Sequence, residues 1–223
     1  STIGKETMKL PTKTLERKLF KSGYNLVIGV DEVGIGCLAG PVVVCAVLFD
    51  KKFFASKHPK LAGVRDSKLL SPHQREKFYE ELLKTAELKY QVTSCSPVVI
   101  DRINIYQAAR RAMRKSIIAL RQAQGDKNNR TIVLIDGKTT IAGLSLSQQA
   151  IVKGDRKIFS IACASILAKV TRDRLMTRLA KKYPNYGFEK HKGYGTKLHQ
   201  IMLAEHGPCA IHRKSFAPIA KLI

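Results

Sequence analysis

The sequence predicts an α/β layer fold built on a mixed sheet, and three observations predict it. Short β-branched apolar runs alternate along the chain with segments of helical periodicity, the pattern of helices layered on a sheet. The first two runs, Asn25 to Val33 and Pro41 to Phe49, are separated only by a Gly-rich turn, so they read as a hairpin and make the sheet mixed rather than all parallel. With 223 residues, 44% of them hydrophobic, the chain can bury a sizeable core.

The elements follow in order. LERKLFKSGY, inside a basic and polar N-terminal stretch, reads as a short helix leading into the hairpin. Residues 71 to 88 begin Ser-Pro-x-Gln, a capping-box pattern with proline at the first helical position, and Phe78, Leu82 and Leu83 supply an apolar face. YQVTSCSPVVI is a strand candidate. The helix after it, Asn104 to Gln124, carries Ile105, Ala108, Ala112 and Met113 on one side and Arg110, Arg111, Arg114 and Lys115 on the other. TIVLIDG reads as a buried strand and QQAIVKGD as another. FSIACASILAKVTRDRLMTRLAKKY is a long helix rich in small apolar residues, and the Gly- and Pro-punctuated remainder reads as a lid or arm with one clear helical piece.

Charge narrows the partners. Lys and Arg number 40 against 17 Asp and Glu, a formal net charge of +23, which favours polyanions and nucleic acid above all. The longest apolar run, PVVVCAVLF, is far short of the roughly 20 residues that span a bilayer, and the N-terminal stretch lacks a signal peptide's apolar segment. Five widely spaced cysteines without a C-x-x-C pair, and histidines without H-E-x-x-H, argue against a disulfide framework or a zinc site and for a reducing cytoplasm.

Against that basic background the acids stand out. Asp31 and Glu32 sit side by side in core-like sequence, Asp136 ends VLIDGK, and Asp155 follows IVKG, so strand candidates deliver four carboxylates to one end of the sheet. Crowded carboxylates repel by about 4 kcal/mol per pair at 4 Å and an effective dielectric of 20. They require cations, and an oxygen-only set suits Mg²⁺ or Mn²⁺. In a basic protein, two such ions are an apparatus for phosphodiester hydrolysis. Successive strand residues point to opposite faces, so the chain is expected to leave β geometry at Asp31-Glu32, with Gly34 and Gly36 permitting it. Asp173 is a rival fourth ligand. It lies in the long helix about 27 Å along the axis from Asp155, with Lys169 at i−4 as an ion-pair partner, and Asp155 is preferred.

GVDEVGIGCLAGPVVV, DSKLLS, IDGK, KGDRKIFSIACASILAKVTRDRLM, YPNYGFEKHKGYGTKLH and GPCAIHRKSF, in consistent order from Leu15 to Pro218, together resemble the bacterial ribonuclease HII family. The resemblance implies a ribonuclease H-like fold: a mixed five-stranded sheet flanked by helices, with a C-terminal helical arm. It implies a core at 25–180, a basic extension at 1–24 and the arm at 181–223. It further implies that Asp31, Glu32, Asp136 and Asp155 bind two divalent ions, and that Gly34-Ile35-Gly36 grips a ribonucleotide and its phosphate. Tyr194 would stack on the sugar, and Asp66-Ser67-Lys68 would lie near the substrate backbone. On the residues themselves, Lys68 and the arginines of the helix 104–124 would serve as phosphate contacts. The implied substrates are RNA/DNA hybrids and DNA duplexes with embedded ribonucleotides, acted on by a cytoplasmic monomer. One position departs from the family: its usual pattern is Gly-Arg-Gly, whereas Ile35 stands here between the glycines. Two other classes stay open on the residues alone, a non-catalytic basic nucleic-acid-binding module and a DNA or junction nuclease on the same fold.

Overall fold

The structure is a computed structural model and describes residues 10–125 and 130–223; residues 1–9 of the basic N-terminal stretch lie outside it. Strands β1 (Leu26–Val33) and β2 (Val42–Asp50) form the expected antiparallel hairpin. β3 (Leu88–Cys95) pairs antiparallel with β2, while β4 (Thr131–Asp136) runs parallel to β1 and β5 (Ser147–Ile151) parallel to β4. The five-stranded sheet thus has the order β3-β2-β1-β4-β5. β1, β2 and β4 are buried on both faces, which is why they read as continuous apolar runs. β5 is a half-exposed, polar edge strand rather than the apolar one expected.

The period of two along the strands separates two cores. Val27, Cys45, Val47 and Leu134 face helix α6 (Phe159–Lys182), whereas Ile28, Val30, Val44, Val133 and Ile135 face helix α5 (Ile105–Gln122). The small residues Ala162, Cys163, Ala164 and Ala168 let α6 lie close on the sheet. The approach is closest at Gly29, where a Cβ would sit 2.4 Å from the Ser160 carbonyl carbon, so no larger residue fits. Helix α1 (Thr14–Lys21) contributes to the same junction. Its Glu16, fully buried, accepts from the Ser160 N–H at 2.9 Å and so satisfies a free donor in the first turn of α6.

Helix α2 (Lys51–Ala55) follows β2, and helix α3 (Pro72–Lys84) begins with the expected capping box, Ser71 and Gln74 each accepting from the other's N–H. Two expectations are corrected. The run Tyr90 to Ile100 is not one strand: β3 ends at Cys95, and Ser96 caps helix α4 (Pro97–Ile103), with proline at its first position. The chain also does not leave β geometry at the paired acids. β1 stays in register through Val33, Asp31 opposite Cys45 and Glu32 opposite Val44, because β2 pairs with it along its whole length.

The C-terminal region carries α7 (Phe188–His191), α8 (Lys197–His206) and α9 (Ala217–Ala220), which pack with Leu38, Met176 and Ala180 into a third apolar cluster. Among the described residues no helix is long and apolar enough to cross a membrane.

Candidate active site

β1 and β4 run parallel with Val30 opposite Ile135, so the next residues, Asp31 and Asp136, emerge side by side at the strand ends. Asp155 arrives from a 3₁₀ turn, Gly154–Arg156, entered through Lys153 at φ 55°; it is not the last residue of β5. That turn is tied to β4 by Gly154 N–H donating to Asp136 Oδ1 at 2.7 Å. The result is three carboxylates, Asp31, Asp136 and Asp155, each offering an oxygen within 4.8 Å of the others. Glu32 leaves β1 on the opposite face, next to Ile35, Asp136 and Lys138 in a cleft of about 350 Å³. Its Oε2 is buried without a hydrogen-bond partner.

This crowding is visible in the proton affinities. Burial, then Glu32 and Asp136, holds the Asp31 carboxyl well above the usual range despite a bond from the Ser165 hydroxyl. Burial and Asp136 push Glu32 up to about 7. Burial, Asp66 and Asp136 push Asp155 up to about 6, against the pull of Lys68 and Arg156. The protein alone does not supply the positive charge this cluster needs. An oxygen-only donor set with one orphaned buried oxygen fits a hard divalent cation.

The loop after β1 is held by two arginines that are both fully buried. Arg172 of α6 donates to Ala39 O at 3.0 Å, Pro41 O at 3.0 Å and Lys192 O at 2.8 Å. Arg213 donates to Gly40 O at 3.0 Å and Ile35 O at 2.9 Å. Gly34, at φ +96°, is required here, since a Cβ would lie 2.4 Å from Arg172 Nε. Gly36 is exposed, and Ile35 packs toward α5. Backbone bridges Cys37 to Tyr194 and Ala39 to His212 join this loop to the C-terminal region.

Tyr194 therefore stands beside the loop, half-buried, with Lys169 Nζ 5.6 Å and the Arg172 guanidinium 6.0 Å from its ring centre. It borders a cleft of about 800 Å³ between α3, α6 and α7. Asp173 lines that cleft, paired with Lys169 at 2.8 Å. Lys68 is exposed and its charge acts on both Glu32 and Asp155. Ser67 is buried, its hydroxyl 2.9 Å from that of Ser165.

Sequence reasoning missed Ser165, Arg172 and Arg213, and placed Asp66 only within a segment near the substrate backbone. Asp66, almost fully buried, accepts from Arg156 Nε at 3.1 Å and from Lys68 N–H at 2.9 Å, bracing the segment that carries Ser67 and Lys68. Its only signal was the DSK segment. The arginines had none, because buried arginine runs against the general habit of that side chain.

Three buried histidines support Tyr194 from behind. His199 Nδ1–H donates to Tyr194 O at 2.9 Å, and its Nε2 lies 3.0 Å from His212 Nε2. His212 Nδ1 lies 2.9 Å from Cys209 N and 3.3 Å from Cys209 O; the shorter contact makes it an acceptor and leaves the ring proton on Nε2, facing His199, with both rings neutral. A further proton would set N–H against N–H. Burial accordingly lowers both pKa values to about 4, and lowers that of the stacked His191. The unfolded rings, near 6.5, bind protons the folded ones refuse. Their stabilisation is complete above pH 6.5 and is lost as pH falls toward 4, at up to about 1.4 kcal/mol per pH unit per ring. Urea unfolding of the parent and of His212→Asn between pH 7 and 4.5 should show the parent losing stability more steeply by about one proton. Identical slopes would exclude the neutral pair.

The family model described as ribonuclease HII matches residues 28–219. The protein named ribonuclease HII from Caldicellulosiruptor saccharolyticus is 50% identical over 202 residues, 91% of this chain and 92% of its own. The crystal structure of ribonuclease H2 from Pyrococcus horikoshii OT3 superposes with a TM-score of 0.69 at 27% identity, over 88% of this chain and 96% of that one. Bst-RNase HIII in complex with Mn²⁺, at 19% identity and a TM-score of 0.68 over 90% of this chain and 70% of its own, shares the fold. A match that begins inside β1 and continues through the C-terminal helices leaves one assignment: this chain belongs to the ribonuclease HII family and is a metal-dependent ribonuclease with a ribonuclease H-like fold.

Proposed function

We propose that the chain is an endoribonuclease that cuts the RNA strand of RNA/DNA hybrids and nicks duplex DNA 5′ of embedded ribonucleotides, leaving 5′-phosphate and 3′-hydroxyl ends. The observation that carries this reading is the convergence of Asp31, Asp136 and Asp155 within 4.8 Å, beside the orphaned oxygen of Glu32, in a chain of net charge +23. These four carboxylates would hold two divalent ions, Mg²⁺ or Mn²⁺, which when bound lower the pKa of the attacking water and stabilise the leaving 3′ oxygen.

The remaining roles belong to the chain itself. The turn at Gly34-Ile35-Gly36, which is exposed at Gly36, would present main-chain N–H groups to a phosphate or a 2′-OH, the group that separates RNA from DNA. Lys68 contacts phosphate next to Glu32 and Asp155, and Ser67 holds it from behind through Ser165. The ring of Tyr194 stacks on the sugar at the ribose-to-deoxyribose step. In this reading residues 25–180 form the catalytic core, 1–24 an extension and 181–223 an arm beside the site, in a cytoplasmic monomer.

The test is incubation of a DNA duplex carrying one ribonucleotide with Mg²⁺, Mn²⁺ or EDTA, beside all-DNA, junction and RNA/DNA duplexes. Metal-dependent cutting of the two ribonucleotide substrates alone is expected. Cleavage of the all-DNA junction, or of nothing, would overturn the proposal. Tyr194→Ala should slow cutting at the single ribonucleotide by about tenfold more than cutting within a long hybrid, about 1.4 kcal/mol of transition-state stabilisation. Equal losses on both substrates would reduce Tyr194 to a loop anchor.

A further inference from the structure

Helix α5 presents Gln107, Arg110, Arg111 and Arg114 at i, i+3, i+4 and i+7, one continuous face opposite the buried Ala108, Ala112 and Met113. This face forms one wall of a cleft of about 490 Å³ whose other wall includes Ile141 and Ala142, and no acidic residue lines it. Arg110 and Ile141 also border the smaller cleft that holds Glu32, Asp136 and Lys138, so the two clefts adjoin and the second ends at the carboxylates.

The arginines are placed, yet not neutralised. Arg110 Nη2 donates to Thr139 Oγ1 at 2.8 Å, and Arg114 Nη1 lies 3.2 Å from where a Cβ on Gly143 would be. Among the described residues none of the three makes an ion pair, whereas in the wider cleft beside Tyr194 Lys169 is paired with Asp173 and Arg174 with Glu76. A guanidinium left without a carboxylate, planar and fixed by a neutral hydroxyl, is suited to a phosphate oxygen pair.

We propose that this groove is a track for the sugar–phosphate backbone of the duplex on one side of the cut, with Arg110 and Arg114 as its phosphate contacts. The proposal rests on the activity inferred above and says which way the substrate leaves the carboxylates. It also explains the alternation of charge along the groove. The acidic end accepts a phosphate only together with cations, while the basic stretch holds the neighbouring phosphates unaided and so supplies affinity without metal.

The experiment compares the parent, Arg110→Ala/Arg114→Ala, Arg110→Lys/Arg114→Lys, and a charge-matched control, Lys51→Ala/Lys52→Ala, on the exposed side of α2. Binding to a duplex with one ribonucleotide is measured in EDTA across a salt series, and cleavage in Mg²⁺ on duplexes shortened stepwise on either flank. The alanine pair should flatten the log–log salt slope by about two and weaken binding on the order of 10- to 100-fold at low salt. The lysine pair should restore the slope, and the control should match the parent. In cleavage, KM should rise with kcat within about threefold, and the defect should vanish when one particular flank is removed. A slope equal to that of the control, or a defect indifferent to both flanks, overturns the track and would leave the face to an acidic protein partner or to solvent. Should the parent cut no ribonucleotide-containing duplex while the slope change persists, the track stands and the assigned activity falls.

Discussion

Asp136→Asn is expected to lower kcat on a ribonucleotide-containing duplex by about a thousandfold or more, roughly 4 kcal/mol of transition-state stabilisation. The substitution is a narrow one. Asn keeps the oxygen that accepts from Gly154 N–H at 2.7 Å, so the turn that delivers Asp155 should survive. What disappears is a charge that now helps to raise the pKa of Asp31, Glu32 and Asp155. Relieving that repulsion should leave the metal-free protein as stable as the parent or more so. The combination of lost cleavage, weakened Mn²⁺ binding by calorimetry and an unchanged or raised Tm separates a chemical role from a structural one. Cleavage within about tenfold of the parent at saturating metal would reject it.

Arg172→Met should have the largest effect on folding. The residue is fully buried, and it satisfies three main-chain carbonyls, Ala39 O, Pro41 O and Lys192 O. Methionine fills much of the volume but donates nothing, so three buried acceptors lose their partner at about 1–3 kcal/mol each. A total on the order of 3–9 kcal/mol is comparable to the whole stability of an ordinary domain. Arg172→Lys should recover part of it, having the charge but not the fork. Urea unfolding of the two variants gives the measurement. A loss under about 1 kcal/mol for methionine would mean that water or a shifted loop replaces the clamp.

Much of the fold was legible because local chemistry and packing agree. The hairpin of β1 and β2, the Ser71–Gln74 capping box and the small-residue face of α6 all follow from pattern. Where local signals conflicted, the reading failed. Val98, Val99 and Ile100 favour a strand by side-chain shape, but Ser96-Pro97 starts a helix, and burial of Ile100 against the α5 face settles it. At Asp31-Glu32 the alternation rule was right, yet the conclusion that the strand must break was not. Glu32 lies on the other face of an intact strand and still feels Asp136 and Asp155, because the site is at the sheet's end rather than on its surface. The acids themselves were legible as charges misplaced in apolar sequence. The buried arginines were not, because KVTRDR reads as an ordinary polar helix end and nothing local announces three distant carbonyls.

The Arg213 bond to Ile35 O has a consequence for the order in which the protein can be made. Its two ends are 178 residues apart in sequence. At a synthesis rate of 5–20 residues per second, the loop after β1 leaves the ribosome roughly 10 to 35 s before its clamp exists. During that interval the nascent sheet and the Arg172 half of the clamp can assemble, since β1 to β5 and α6 precede Arg213, but Ile35 O and Gly40 O still lack their donor. Here a bond supplied only by the C-terminal region completes the loop proposed to grip substrate, so the final shape of that loop is deferred until translation has passed Arg213.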